Sequence, residues 1–479
     1  MSDSKSFLND FDFIIIGSGI SGLVTSLILA KEGKKVAIFE KDKDIAPLIR
    51  PYKRKGILIS PGLHVSGWMD KGEVVEKFLS YLNVIDGVEI KLSEQGYGVV
   101  NVNGKEYYIP KGYDAIEKSL CSYFPESKSA IQNYFASIKE CVSQDFYFNH
   151  SLPPTKGFNS TISEYVNFSV TDFFKKNNAP KELIDLINFM SYILVGSRTD
   201  EMCFMMHAFV MSGFYESPGY FSTEGISNML LNFKKELEKL NVKIFLNSEI
   251  EEILINEKEK KAVGVKTSKG EEYFSSNVIA SFHPKLLLKL VKKNIFRPIF
   301  IKRLKEAENT CGFYVSYYKI NEEIKLDVNN IVCYDNKDDL LMGMILNEEK
   351  KQRVLSVFLP NEGSYPEEKI ERDGLAKIKL RVIEDNIYKL YPNLKGNIEL
   401  LDFLKPWSFE RYTNTMDGSA YGIKQKLDSI GFQHKVPIRN LYLVGQSIYP
   451  GFLGSLISAF SLGFEVLEND NFWKKVISI

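Results

Sequence analysis

Residues 11–40 read FDFIIIGSGISGLVTSLILAKEGKKVAIFE. Phe11–Ile16 is a short apolar run rich in β-branched residues, which predicts a buried parallel strand. The apolar residues that follow recur at i, i+3, i+4, i+7 and i+8, the spacing of an amphipathic helix. Lys35–Phe39 is typical of a second strand, and Glu40 stands at its end. The stretch therefore predicts a complete βαβ unit of about thirty residues.

The turn between the first strand and the helix carries a G-x-G-x-x-G motif. Gly17 allows the tight turn, Gly19 lets the backbone approach a pyrophosphate, and Gly22 lets the helix pack closely on the strands. The helix N-terminus offers free N–H groups and a positive dipole to phosphates. Glu40 can accept hydrogen bonds from ribose hydroxyls. The motif thus predicts a dinucleotide site, and the alternative is a structural βαβ unit without a ligand.

A second glycine cluster lies near the C-terminus, in Asn440–Ser447 (NLYLVGQS) and Pro450–Ser455 (PGFLGS). A strand that ends at Gly445 and a helix that starts near Gly454 would bring a second helix N-terminus to a long cofactor. Together with the N-terminal position of the first motif, this favours FAD over NAD. The alternative is a glycine-rich structural turn. No Cys or His lies near the segment, so we expect the FAD to be non-covalent.

Composition excludes several classes of function. The 479 residues carry 61 basic and 61 acidic side chains, and this balance argues against a nucleic-acid or anionic-membrane binder. The five cysteines and five histidines are scattered without metal-ligand spacing, which indicates a reducing compartment and no metal site. Met1–Asp10 is polar, and the longest apolar stretch, roughly 452–464, is too short to span a bilayer. We expect a soluble, cytoplasmic protein.

Aromatic residues make up 13% of the chain, mostly as 33 Phe and 25 Tyr. They could form ordinary core or line a long apolar ligand cavity, and composition leaves both open. Met202–Phe221 (MCFMMHAFVMSGFYESPGYF) is a candidate cavity wall. Its helical spacing fits core packing equally well.

Other segments carry local signals of secondary structure. Asn103-Gly104 predicts a hairpin between strands at 97–102 and 106–109. The stretch from Asp114 to Asp145 is predicted to be helical with a break near Pro125, and the stretch from Asn159 to about Ser217 mainly helical. Two separate strands are predicted at 272–274 and 277–280.

Several segments, taken together, resemble the FAD-dependent phytoene desaturase superfamily, and most of all its branch of carotenoid isomerases and retinol saturases. Gln446 after Gly445 is similar to that branch. In the family, the position matching Ile250 contacts the adenine part of FAD. The segments that carry the resemblance are Ile14–Lys41, Gly62–Gly67 (GLHVSG), Gly225–Pro284, Pro406–Gly422 (PWSFERYTNTMDGSAYG) and Asn440–Ser458.

The chain departs from the family pattern in two places. The family usually follows the second strand with a Gly-Gly-Arg or Gly-Gly-Lys type segment, whereas Asp44–Pro51 reads DIAPLIRP. Arg50 is the residue of this loop that we expect to reach the cofactor. The glycine pair before the central helix is Glu224-Gly225 here.

The resemblance implies an α/β fold, with a Rossmann-like FAD-binding domain of the glutathione-reductase type and an interleaved α+β substrate domain. The FAD-binding domain would be assembled from residues 1–85, 220–300 and 405–479, and the substrate domain from 86–219 and 301–404. The expected cofactor-binding residues are Gly17, Ser18, Gly19, Ile20, Ser21, Gly22, Glu40, Lys41, Arg50, Ile250, Gly445, Gln446, Gly454, Ser455 and Leu456.

The implied reaction is saturation, desaturation or isomerisation of C=C bonds in a lipid-like polyene or isoprenoid, with NAD(P)H as a candidate external reductant. His64 is the first candidate for a proton donor or acceptor, and its alternative role is to orient a loop through a hydrogen bond. His207 and Tyr215 are further candidates. Together with Phe221 they are expected to line the substrate site.

Two other functions share the fold. One is an amine-oxidase-type flavoprotein, and the other is a non-enzymatic module that binds prenylated proteins without flavin. The expected partner is a hydrophobic small molecule. Peripheral membrane contact is expected from the solubility of such a substrate, through an apolar patch, and the oligomeric state stays open.

Overall fold

The computed structural model describes residues 11–93, 96–154, 162–292, 295–324, 326, 330–335, 340–349, 352–427, 431–467 and 471–479. The polar stretch Met1–Asp10 lies outside these ranges, as does the start of the helical region predicted from Asn159.

The strands are, in chain order, β1 (Phe11–Ile16), β2 (Val36–Phe39), β3 (Tyr52–Arg54), β4 (Ile57–Ile59), β5 (Val65–Ser66), β6 (Ile90–Leu92), β7 (Gly98–Val102), β8 (Lys105–Ile109), β9 (Gly219–Phe221), β10 (Lys243–Phe245), β11 (Ile250–Asn256), β12 (Lys261–Thr267), β13 (Glu272–Ala280), β14 (Gly312–Ile320), β15 (Asn330–Asp335), β16 (Leu340–Glu349), β17 (Gln352–Asn361), β18 (Ile398–Leu404) and β19 (Leu441–Leu443).

The helices are α1 (Ile20–Lys31), α2 (Val74–Tyr81), α3 (Tyr113–Tyr123), α4 (Lys128–Ser143), α5 (Val170–Lys176), α6 (Lys181–Val195), α7 (Phe204–Glu216), α8 (Thr223–Lys239), α9 (Leu287–Leu290), α10 (Pro298–Glu306), α11 (Lys369–Leu390), α12 (Pro406–Thr413), α13 (Gly451–Leu467) and α14 (Asn471–Ile477). Short 3-10 turns lie at Pro125–Ser127, Ile162–Val166, Pro284–Leu286, Pro392–Leu394 and Met416–Gly418.

The first sheet has seven strands in the order β10-β2-β1-β13-β12-β11, with β19 paired to β13. β1 lies between β2 and β13 and is parallel to both, with Ile14 opposite Ala37 and Val278. The β1–α1–β2 unit predicted from the sequence is confirmed, and the fold is the expected α/β class with a Rossmann-like domain.

β13 corrects one sequence prediction. The sequence indicated two separate strands, at 272–274 and 277–280, but Glu272–Ala280 is one continuous strand. Its first half pairs antiparallel with β12, at Gly264 and Phe274, and its second half pairs parallel with β1 and β19. The strand is continuous because it has pairing partners along its whole length.

The second sheet has seven strands in the order β18-β14-β17-β16-β15-β7-β8. Its pairs are antiparallel except for β15 and β7. These strands come from 98–109 and 312–404, whereas the first sheet uses 11–39, 243–280 and 441–443. The two sheets thus use different segments of the chain, and the division into two interleaved domains stays a prediction.

Each sheet is covered by helices with an apolar face. α1 and α13 pack together over the first sheet, and Leu27 and Phe460 are fully buried in that core. α11 lies on the second sheet, where its Ile383 and Ile387 are fully buried. A third apolar core, built around Tyr134 of α4, joins α4, α6 and α7. Within the described residues, no helix is long and apolar enough to cross a membrane.

The backbone is tightly packed where β1 turns into α1. Gly17 has a φ of +98°, and a Cβ there would lie 2.8 Å from the carbonyl oxygen of Ser281. A Cβ on Gly22 would lie 2.3 Å from the carbonyl oxygen of Gly17. Since both neighbours are backbone atoms, neither can move aside cheaply, and these two positions require glycine.

Candidate active site

A cleft of about 350 Å³ opens at the carboxyl ends of the parallel strands of the first sheet. This is where open α/β sheets bind ligands. Its walls come from the β1–α1 turn, the end of β2, the start of β11 and the segment before α13. The sequence-predicted residues among its lining are Gly17, Gly19, Ile20, Ser21, Glu40, Lys41, Ile250, Gly445, Gln446 and Ser455.

The N-terminus of α1 is open toward this cleft. Gly19 is the N-cap residue, and no described side chain caps the helix. A Cβ on Gly19 would meet no protein atom within 4 Å, in contrast to Gly22. The first-turn N–H groups are therefore free to bind a phosphate, as they are in dinucleotide-binding proteins.

Glu40 is fixed at the edge of the cleft. Its carboxylate accepts hydrogen bonds from the backbone N–H of Ser18 (2.8 Å), the hydroxyl of Ser18 (2.6 Å) and the backbone N–H of Asp42 (2.9 Å). Its carbonyl oxygen accepts a bond from the N–H of Ser248 (2.9 Å), two residues before the lining residue Ile250. Glu40 therefore has a defined orientation, and its Oε1, which accepts only the bond from Asp42, keeps acceptor capacity for a ribose hydroxyl.

The C-terminal glycine segment closes the other side of the cleft. α13 begins at Gly451, three residues before the Gly454 start predicted from the sequence. Gly451 has a φ of +78°, and Gly454 packs under the preceding segment, where a Cβ would lie 2.5 Å from the Tyr449 carbonyl oxygen. The chain can turn into the helix earlier because both positions are glycine.

Some predicted cofactor residues do not line the cleft. Ser18 and Leu456 are fully buried, and Gly22 packs against Gly17. Arg50 pairs with Asp42 and donates to the carbonyl oxygen of Ile45 (3.0 Å). These two contacts disfavour the expected contact between Arg50 and the cofactor. Lys41 lines the cleft, but its ammonium group donates to the carbonyl oxygen of Arg411 (3.0 Å) and to Asn414.

A second cavity, of about 240 Å³, adjoins the cleft. Strands β14, β16 and β17 of the second sheet contribute to its lining, and most of the side chains that line it are aliphatic or aromatic. The residues that line both the cleft and this cavity are Ile20, Leu48, Ile49, Thr413, Thr415, Gln446 and Ser455.

One face of α7 forms part of the apolar cavity. Met206, Phe209, Val210 and Phe214 line it at helical spacing. The helix is held close to the loop after β5, because a Cβ on Gly67 would lie 2.3 Å from the carbonyl carbon of Gly213. The Met- and Phe-rich segment is thus both a cavity wall and part of the core.

His207 and Tyr215 lie on the opposite face of α7 and do not line the cavity. The Tyr134 hydroxyl lies 2.6 Å from Nε2 of His207 and 2.9 Å from the Tyr215 hydroxyl. Burial lowers the pKa of His207 to about 3, so this ring is neutral at neutral pH. Phe221, the third expected lining residue, packs edge-on against Phe452, with 5.1 Å between ring centroids. All three support the wall from behind.

His64 lines the apolar cavity, as expected for a residue that contacts a substrate. Its ring meets Phe358 edge-on, with 5.0 Å between centroids. Neither ring nitrogen makes a well-aligned hydrogen bond with a described residue. Burial lowers the pKa of His64 to about 4, against a weaker raising influence of the Pro61 carbonyl. At neutral pH the ring is therefore neutral and holds no acidic proton to donate as an imidazolium.

Asp145 also lines the cavity, and sequence reasoning missed it. Burial raises the pKa of its carboxyl to about 6, although a hydrogen bond from the Tyr147 N–H lowers it. No motif marks the surrounding residues SQDFYFN, and their nearness to the cavity depends on contacts between segments far apart in sequence. No local signal could have identified this residue.

Comparison with known proteins agrees with this geometry. A family model described as an NAD(P)-binding Rossmann-like domain matches residues 15–82. All-trans-retinol 13,14-reductase of Danio rerio is 23% identical, over 96% of this chain and 86% of that protein. Prolycopene isomerase 1 of an Oncidium hybrid cultivar is 24% identical, over 94% and 82%. The 4,4'-diapophytoene desaturase of Staphylococcus haemolyticus is 20% identical, over 91% and 94%.

Solved structures share the fold. An oxidoreductase from Methanosarcina mazei matches with a TM-score of 0.68 at 14% identity, over 95% of this chain and all of that chain. Putrescine oxidase bound to putrescine matches with a TM-score of 0.64 at 12% identity, over 96% of this chain and all of that chain. At such identities these matches support the architecture alone.

The fold and the glycine-lined cleft define an oxidoreductase with a Rossmann-like nucleotide-binding domain. Over nearly its whole length the chain is similar to retinol reductases, prolycopene isomerases and diapophytoene desaturases, and these relatives fit the FAD-dependent superfamily. The cleft fits FAD: the uncapped α1 N-terminus and the open space at Gly19 suit a pyrophosphate, and Glu40 suits a ribose.

Gly19 and Gly22 are expected to have different roles, Gly22 in the packing of α1 and Gly19 in cofactor binding. Gly22→Ala should lower the free energy of unfolding by about 1–3 kcal/mol, because its methyl group would overlap backbone atoms. Gly19→Ala should leave the stability of the apoprotein within about 0.5 kcal/mol, since its methyl group would enter open space at a φ of −59°. Urea unfolding of the apoproteins measures both changes.

The same two variants test the cleft. Gly19→Ala should weaken FAD binding at least about tenfold, because its methyl group would take the space through which a pyrophosphate approaches. Equilibrium titration of the apoprotein with FAD measures this. A Gly19→Ala protein that binds FAD as tightly as the wild type would exclude this turn as the pyrophosphate site.

The buried histidines make stability depend on pH. An unfolded histidine takes up a proton below about pH 6.5, whereas His207 in the folded protein resists it until about pH 3. Its contribution to stability is complete above pH 6.5 and is lost as the pH falls. Between pH 6 and pH 4, the unfolding free energy of the wild type should fall more steeply with decreasing pH than that of His207→Gln. The difference in slope should be about 1.4 kcal/mol per pH unit.

Urea unfolding of both proteins at a series of pH values checks this. Asp145, whose raised pKa acts in the opposite direction, is present in both proteins and cancels in the comparison. Equal pH slopes for wild type and variant would contradict this prediction, because they would show that the pKa of His207 is the same in the folded and the unfolded protein.

Proposed function

We propose that this chain is an FAD-dependent oxidoreductase that saturates, desaturates or isomerises C=C bonds of a lipid-like polyene or isoprenoid. The observation that carries this proposal is the apolar cavity that shares walls with the dinucleotide cleft. Predominantly apolar linings with few polar groups are typical of sites for hydrophobic ligands. The relatives are named for retinol, prolycopene and diapophytoene, which supports the same substrate class.

In the proposed site, the cofactor supplies the redox chemistry and the protein positions the cofactor and the substrate. When bound, FAD supplies the hydride chemistry. The α1 N-terminus would hold the pyrophosphate, Glu40 a ribose, and Ile250 the adenine end. Gln446 and Ser455, which line both the cleft and the cavity, would contact the cofactor next to the substrate.

We propose that His64 contacts the substrate in its neutral form. Its ring lines the cavity, and its unpartnered nitrogens leave one N–H donor and one acceptor for a ligand or a water molecule. The surrounding apolar side chains would exclude bulk water from the reacting bonds. In this role His64 orients a ligand and does not act as a cationic acid.

The proposed external reductant is NAD(P)H where the reaction is a saturation. Anaerobic addition of NADPH to the FAD-loaded protein should bleach the visible flavin absorbance, and a subsequent addition of all-trans-retinol should restore it. Mass analysis of the product should then show the loss of one C=C bond. Bleaching by amines in place of NADPH would indicate the amine-oxidase alternative.

Two further results bear on this experiment. An isomerised product of unchanged mass would indicate the isomerase reaction. A colourless protein that takes up no added FAD would contradict the proposal and favour the prenyl-protein-binding alternative.

We also propose a peripheral membrane contact in a cytoplasmic setting, because a polyene substrate resides in bilayers. Since the formal net charge is zero, we expect the contact to be apolar and largely independent of anionic lipid. Co-sedimentation with liposomes of neutral phosphatidylcholine should capture the protein, and added phosphatidylserine should change the captured fraction little. Absence of sedimentation with both lipids would contradict the contact.

A further inference from the structure

Asp145 is the only carboxyl group among the described residues that line the apolar cavity, and no lysine or arginine lines it. It lies two residues beyond the C-terminal end of α4. One of its oxygens, Oδ1, accepts a hydrogen bond from the backbone N–H of Tyr147 (2.8 Å). No described residue donates to the other oxygen or forms an ion pair with the carboxylate.

The surroundings of Asp145 in the cavity are mainly aromatic. Phe148 lies between Trp68, with 5.2 Å between ring centroids, and Phe209, at 5.8 Å. Burial and the nearby Asp145 carboxylate raise the pKa of Tyr449 to about 12. The Tyr449 hydroxyl also has no hydrogen-bond partner among the described residues. A free acceptor and a free donor therefore both line the apolar cavity.

Local structure does not account for the charge at this position. An asparagine would make the same turn with the Tyr147 N–H. The C-terminal end of α4 carries the negative pole of the helix dipole, which favours a cation over an anion. The second oxygen of the partly buried Asp145 carboxyl accepts no hydrogen bond from a described residue, and its partial desolvation costs folding free energy. A ligand group that donates a hydrogen bond would offset this cost.

We propose that Asp145 accepts a hydrogen bond from the hydroxyl at the polar end of an otherwise apolar substrate, and so selects a polyene or isoprenoid alcohol. This inference rests on the proposed function and specifies its substrate. The Tyr449 hydroxyl, which also lines the cavity, is a candidate donor to the alcohol oxygen. An ammonium group could also pair with the free carboxylate oxygen, and the relatives named for retinol favour the alcohol.

The test compares ligands that differ by one donor. All-trans-retinol and its methyl ether are titrated into the FAD-loaded protein, and the change in flavin absorbance gives each Kd. The wild type should bind the alcohol at least about tenfold more tightly, because hydrogen bonds to charged groups contribute more than neutral ones. Equal Kd values for the two ligands would overturn the inference without any variant.

Asp145→Asn supplies the matched change. Its amide oxygen can keep the bond from Tyr147, which turns the amide N–H₂ donor toward the cavity. The preference for the alcohol should disappear, and the aldehyde all-trans-retinal, an acceptor, should bind better than retinol. Asp114→Asn is the control, because the Asp114 side chain is 96% exposed and, among the described residues, forms an ion pair with Lys139 alone. It should keep the wild-type preference.

The outcomes separate this inference from the proposed function. Each preference is a ratio of two Kd values from one protein, so a loss of folded protein cancels. Retention of the alcohol preference in Asp145→Asn, or tighter binding of retinylamine than of retinol by the wild type, would overturn the role of Asp145 alone. If none of these polyenes perturbs the flavin, the proposed function fails and this inference fails with it.

Discussion

The close approach of three backbone segments at the β1–α1 turn governs the arrangement of the site. Gly17 lies against Ser281 and Gly22 lies against Gly17, with no space for a side chain between them. This packing fixes β13 beside β1, and β13 in turn pairs with β19 on its other edge. The N-terminal and C-terminal glycine segments, more than 400 residues apart, therefore meet at one edge of the sheet. The cleft follows from this meeting.

The sequence predicted the elements whose signals are local. The β1–α1–β2 unit, the β7–β8 hairpin and the break between α3 and α4 near Pro125 are all present. It failed where pairing between distant segments decides the structure. The strand β13 looked interrupted because Ser275 and Ser276 are polar, yet antiparallel pairing on one half and parallel pairing on the other keep it extended.

The sequence predicted the residues of the cleft better than those of the apolar cavity. The cleft residues follow from glycine motifs that have a mechanical reason for each position, and most of them line the cleft. The cavity residues do not. α7 is apolar or aromatic on both faces, so helical periodicity could not tell that Met206 and Phe209 face the cavity while His207 and Tyr215 face the core. The tertiary structure alone makes that choice.

The high aromatic content has two structural explanations. Many of the rings form the cores that hold α4, α7 and the second sheet in place, and a smaller set, including Trp68, Phe209 and Phe358, faces the cavity. The rings of the cores hold the cavity-lining rings in place, because close-packed rings cannot shift without opening voids. Desolvation in the same region keeps His64 and His207 neutral. A cavity so poor in charge leaves the redox step to a bound cofactor, so substrate selection depends on cavity shape and on the few polar groups in its wall.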